Sequence, residues 1–108
     1  IGFTVDLASG EKLSARKIIL ACGVSDSLPD VPGLWERWGH TVNHCPYCHG
    51  YEFGGAPLGV LNAMPLSSHQ ALLIPEWGPT TFFLNGGASP DEETLRKLKA
   101  RGVTIEPS

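Results

Sequence analysis

Thr80-Thr81-Phe82-Phe83-Leu84, then Asn85-Gly86-Gly87, then Ser89-Pro90-Asp91-Glu92 and a basic-ended run to Arg101-Gly102-Val103-Thr104-Ile105 form the stretch that decides the fold. Its first five residues are β-branched, aromatic or aliphatic and stop at turn residues, which reads as a strand. Ser89 offers an N-cap, Pro90 suits the first helical position, and Glu92 would close a capping box. Basic residues gather in the last turns and Gly102 stands where a C′ glycine belongs, so the helix is expected to run to about Arg101. Val103 to Ile105 then starts another strand.

Working outward, residues 58–61 (Leu-Gly-Val-Leu) read as a strand. Residues 66–77 read as a helix, with Leu66, His69, Leu72 and Leu73 at helical spacing and Pro75 ending or kinking it early. The order from Leu58 onward is β-α-β-α-β, which predicts an α/β fold with a parallel, Rossmann-like sheet. Nearer the start, Phe3, Val5 and Leu7 alternate with polar residues, Ser9-Gly10 makes a turn, and residues 12–15 return as the second arm of a hairpin. Residues 17–21 (Lys-Ile-Ile-Leu-Ala) are a continuous apolar run closed by Gly23, as in a strand buried on both faces. Pro29, Pro32 and Gly33 mark a loop or linker, and residues 34–38 a short helical turn.

The 108 residues carry 8 Lys plus Arg against 11 Asp plus Glu, a net charge of −3, with 42% hydrophobic content. That is one domain's worth of chain at most, and the slight acidity gives no electrostatic reason to expect nucleic acid or an anionic membrane as partner. No apolar run approaches the roughly 20 residues of a membrane helix. Three cysteines are too few for a disulfide-stapled secreted domain. The chain opens Ile1-Gly2-Phe3 and its one Met is Met64, so a piece of something longer is expected.

The chemistry gathers in Cys45-Pro46-Tyr47-Cys48-His49, preceded by His44. Two thiols at this spacing can close a small disulfide ring or share a metal, and either thiolate can attack a mixed disulfide formed at the other. His44 and His49 could accept or donate protons near neutral pH. Four readings compete: inert core sulfurs; a zinc site drawing on Cys45, Cys48, His49 and His40; haem attachment through C-x-x-C-H with Met64 as axial ligand; and a thiol-disulfide centre. A second C-x-x-C for zinc is lacking, and the α/β pattern is wrong for haem attachment. A glutaredoxin fold fails because three glycines fall among the seven residues after Cys48, where that fold needs a helix.

Ile18-Ile19-Leu20-Ala21-Cys22-Gly23, Leu28-Pro29-Asp30-Val31-Pro32-Gly33 and His44-Cys45-Pro46-Tyr47-Cys48-His49-Gly50-Tyr51-Glu52, taken together, resemble the low-molecular-weight thioredoxin reductase family, and within it the flavin-dependent dithiol oxidase-like branch. The resemblance implies that residues 1–33 are the β tail of an FAD domain with its crossover. It makes 34–108 part of a nicotinamide-nucleotide-binding-like domain carrying the C-x-x-C. It implies a cytoplasmic FAD-dependent thiol-disulfide oxidoreductase, with Ala21 and Gly23 at the FAD-domain strand end and Cys22, in place of the usual Thr, a small buried residue. Cys48 would face the flavin, Cys45 would meet a small dithiol or a thioredoxin-like protein, and His49, where reductases have Asp, would handle protons. A homodimer is the assembly expected of the complete protein.

One departure matters. Where the family places a G-x-G-x-x-A/G turn for a pyrophosphate, this chain has Asn62-Ala63-Met64-Pro65-Leu66-Ser67. The absence of glycine at Asn62, Met64 and Ser67 argues against ordinary NADPH binding and favours disulfide formation over reduction. The stretch is expected to be catalytically silent by itself, because no FAD phosphate-binding glycine fingerprint appears in it. The alternative of another class is a non-enzymatic zinc-binding or redox-sensing module. Trp35, Trp38 and Trp77 are expected to pack at a domain boundary, and His69 to be an ordinary core or surface histidine.

Overall fold

In the computed structural model, which describes residues 2–108, the expected β-α-β-α-β order is realised in the C-terminal part. Strands β3 (Leu58–Leu61), β4 (Thr80–Phe83) and β5 (Thr104–Glu106) form one parallel sheet in that order, with Leu58 opposite Thr80 and Phe82 opposite Ile105. Helix α3 (Ser67–Leu73) joins the first two and α4 (Glu92–Ala100) the last two. Phe82, Leu98 and Ala71 are essentially sealed from water, and Val60, Leu84 and Val103 complete the core. Each large apolar side chain so buried contributes about 1.5–3 kcal/mol. The chain is therefore mixed α/β with a parallel sheet.

Local chemistry sets the helix ends. Asp91, not Ser89, caps α4: its Oδ1 accepts from the Thr94 N–H at 2.9 Å and its Oδ2 from the Thr94 hydroxyl at 2.8 Å. A carboxylate at this end also meets the positive pole of the helix, which a serine hydroxyl does not, so the cap moves two residues along. At the other end the Gly102 N–H donates to Lys99 and the Val103 N–H to Leu98. With Gly102 at φ 71° this is a Schellman close. Pro75 does what its ring requires: α3 stops at Leu73 and tightens into a 3-10 turn, Ile74–Glu76.

The N-terminal part is built differently. β1 (Phe3–Asp6) and β2 (Lys12–Ala15) pair antiparallel as the predicted hairpin. Residues 17–30, however, carry no regular secondary structure, which corrects the strand expected at 17–21. Ile19 and Leu20 are 90% and 86% exposed, and Cys22 is exposed rather than buried. A strand's peptide groups need a ladder, and among the described residues no strand pairs with this run. The radius of gyration, 19.8 Å, accordingly exceeds the about 13 Å of a compact chain of this length. Short helices α1 (Leu34–Arg37) and α2 (Pro46–His49) lead into the sheet. Among the described residues no helix is long and apolar enough to cross a membrane.

Candidate functional site

Cys45 occupies the N-cap of α2 in extended backbone, Pro46 opens the helical turn, and Cys48 lies within it. Pro46 fits because its missing N–H would have had no partner there. The helix lasts one turn, as the glycines beyond it dictate, and closes with the Gly50 N–H donating to the Pro46 carbonyl at 2.6 Å. Both cysteines are free thiols; Cys45 is half-buried and Cys48 exposed.

The two sulfurs are not equivalent. The Cys48 N–H, then the Cys48 thiol, then the Tyr47 N–H favour charge on Cys45 and hold it below the usual thiol range. The cap closes no fully formed hydrogen bond to that sulfur, so these groups act as a polarising field rather than as ideal bonds. Cys48 moves the other way: the neighbouring Cys45 sulfur, as hydrogen-bond acceptor and as a site of negative charge, raises it above the usual thiol range. Of the two, Cys45 is thus the more acidic thiol and Cys48 the less acidic.

Glycine at position 50 is dictated by packing. A Cβ there would lie 2.5 Å from the Pro46 carbonyl oxygen and 2.5 Å from Nε1 of Trp77. Trp77 is therefore pressed against the turn that carries the thiols, with Tyr47 edge-on to it at 5.7 Å between ring centres. The Gly55 N–H donates to the Trp77 carbonyl at 2.6 Å, and Gln70 Nε2 donates to the His44 carbonyl at 3.1 Å. These contacts fasten the dithiol turn to α3 and to the 3-10 turn after it. They join positions 22 to 30 residues apart, so no local signal in the sequence announced them.

His49 lies at ion-pair distance from Glu52, with Nδ1 3.5 Å from Oε2. The i,i+3 spacing was visible in the sequence, but Glu52 was not singled out as the partner that orients this imidazole. The ring centres of His44 and His49 are 6.5 Å apart, and Trp38 lies 6.0 Å from His44. Among the described residues no group of three or more His, Cys, Asp or Glu side chains is placed to hold a metal. Ala21 and Gly23 lie in the exposed irregular segment and do not line the cleft at Cys45.

The turn between β3 and α3 is closed by its own side chains. Ser67 is 2% exposed, and its hydroxyl accepts from the N–H groups of Ala63 and Met64, each at 3.1 Å. Asn62 Nδ2 donates to the Leu84 carbonyl at 3.4 Å, so it fills the crevice beyond the sheet's carboxyl end beside Gly87. Met64 and Leu66 project outward, 58% and 66% exposed. They share a cleft of about 280 Å³ with His44, Cys45, Pro46, Tyr47, His69, Gln70 and Leu73.

No family model matches the chain. It is 35% identical to thioredoxin reductase sirT of Leptosphaeria maculans over 97% of its own length and 36% of that protein's. Thioredoxin reductase aclD of Aspergillus oryzae is 44% identical over 85% of this chain and 30% of its own. Among solved structures, an oxidoreductase from Agrobacterium tumefaciens superposes with a TM-score of 0.81 at 49% identity, covering 98% of this chain and 36% of the other. The chain thus spans about a third of the length of these relatives.

Proposed function

The chain is thioredoxin reductase-like, and on that premise we propose that it supplies the redox-active pair of an FAD-dependent thiol-disulfide oxidoreductase working as a dithiol oxidase. The observation that carries this reading is the opposed polarisation of Cys45 and Cys48, with Cys45 in the wall of an open cleft. The segment boundary falls near residue 33, between the uncovered run and the part that carries the sheet.

With the pair oxidised, a substrate thiolate attacks Cys45; the Cys45–Cys48 bond breaks, and Cys48 leaves and takes a proton, a role that falls to His49, next in the chain and paired with Glu52. The second substrate thiolate then attacks the substrate sulfur of the mixed disulfide. The substrate disulfide forms, and Cys45 departs as the better-stabilised thiolate. The substrate loses two electrons and the pair gains them. FAD supplies the two-electron acceptor that restores the pair. Residues that would meet it need open backbone. Gly23, at φ 70°, has nothing within 4 Å of where a Cβ would stand, and Ile19, Leu20 and Val24 beside it are uncovered. Ala21 and Gly23 fit that role.

NADPH does not fit the β3–α3 turn. The N–H groups of residues 63 and 64 already meet Ser67, Pro65 has none, and Met64 stands where a pyrophosphate would approach. The partner is a small dithiol or a thioredoxin-like protein. In the complete protein, an anaerobic flavin spectrum should bleach with a dithiol and resist NADPH. Rapid bleaching by NADPH, or stoichiometric zinc that survives dialysis, would overturn this reading.

A further inference from the structure

The cleft beside Cys45 has one wall that the redox chemistry does not require. Met64 and Leu66 from the β3–α3 turn, with Leu73 one helix length on, face the motif side of His44, Cys45 and Tyr47 across about 280 Å³. Exposed methionine and leucine side chains next to each other cost solvation unless something apolar meets them. Neither belongs to the core, which is complete without them. The turn that presents them is not loose, since the sealed Ser67 hydroxyl holds it through two N–H groups. Among the described residues no lysine, arginine or carboxylate lines the cleft, so a highly charged peptide would find no permanent counter-charge there. At about 280 Å³ the cleft lies just below the about 300–1,000 Å³ of ordinary small-molecule pockets, which leaves room for a compact ligand only.

We infer that Met64 and Leu66 are specificity-determining residues that grip the apolar body of a compact dithiol while Cys45 engages its sulfur. The inference rests on the dithiol oxidase reading and adds residues to it: the stretch unfit for a pyrophosphate is the substrate wall. Met64 is polarisable and unbranched, so it follows an irregular surface. Leu66 fixes one side of the opening. Gln70 holds the opposite side in place through the His44 carbonyl.

The test compares benzene-dimethanethiol, an apolar dithiol, with dithiothreitol, a polar one, as substrates of the complete flavin-loaded protein. Met64→Ser and Leu66→Ser should each lower the ratio of kcat/KM for benzene-dimethanethiol over dithiothreitol by about tenfold, the scale of a lost apolar contact in a pocket. Circular dichroism checks that the fold is kept. A ratio that stays constant, whether both rates fall together or neither changes, overturns the assignment. Loss confined to a thioredoxin substrate would give the wall to a protein partner and overturn it equally. Failure of the unaltered protein to oxidise either dithiol would remove the function itself, and this assignment with it.

Discussion

Two turns face each other across the cleft, and both open a helix. At residues 45–50 the first N–H groups of α2 lie near a thiol that gains acidity from them. At residues 62–67 the N–H groups ahead of α3 are taken by Ser67, and the turn offers the cleft only apolar side chains. The same orphaned donors thus give a reactive centre in one place and an inert wall in the other. What differs is the residue that meets them: a polarisable thiol in the first, a hydroxyl sealed from water in the second.

Breaking the reactive turn has the largest expected effect. Cys45→Ser should lower dithiol oxidation by at least roughly 10³-fold, the scale of a lost reactive group, whereas Cys48→Ser given a linear disulfide, whose other half leaves as thiolate, should accumulate a mixed disulfide at Cys45 visible by mass spectrometry. Trapping at Cys48 in a Cys45 variant would reverse the assigned roles. Next comes the packing beneath that turn. Gly50→Ala drives a methyl into the Pro46 carbonyl and the Trp77 indole, for an expected loss of about 1–3 kcal/mol in chemical denaturation followed by Trp fluorescence.

Ser67→Ala sharpens the comparison from the other side. It leaves the Ala63 and Met64 N–H groups without their acceptor, at a cost of about 1–3 kcal/mol, and should leave the pH dependence of Cys45 alkylation unmoved. A shift in that pH dependence would mean that the two turns are electrically one unit. The smallest effect belongs to a third helix start. The N–H and hydroxyl of Thr94 hold the Asp91 carboxyl below the usual carboxylate range. Its stabilisation is therefore present above the unfolded-state value and fades as pH falls through the folded one. Asp91→Ala should lower Tm modestly at neutral pH, with the difference closing in acid.

How far the sequence could be read follows from the range of the interactions. β4, α4 and β5 carry their own instructions: a β-branched and aromatic run, a cap, a terminal glycine. Even there the choice of Asp91 over Ser89 depended on which side chain reaches Thr94. The run at 17–21 has strand composition and no strand, because pairing is a property of two segments and composition of one. The C-x-x-C was legible as chemistry. The unequal cysteines and the Trp77 beneath Gly50 were not, since both arise from the placement of groups in space. Met64 stood out in the sequence only as an obstacle to a nucleotide, and its place in the wall beside Cys45 required the fold.

The uncovered run around Ile19, Leu20 and Val24 has a practical consequence. It is a strand-forming string whose peptide groups have no backbone partner among the described residues, so another extended chain can zip onto it, including the same stretch of a second molecule. For a preparation of this stretch alone, colloidal behaviour rather than catalysis would then be the first property to fail, with turbidity rising steeply as the solution is concentrated. A lysine placed at Leu20 would act as a gatekeeper against it.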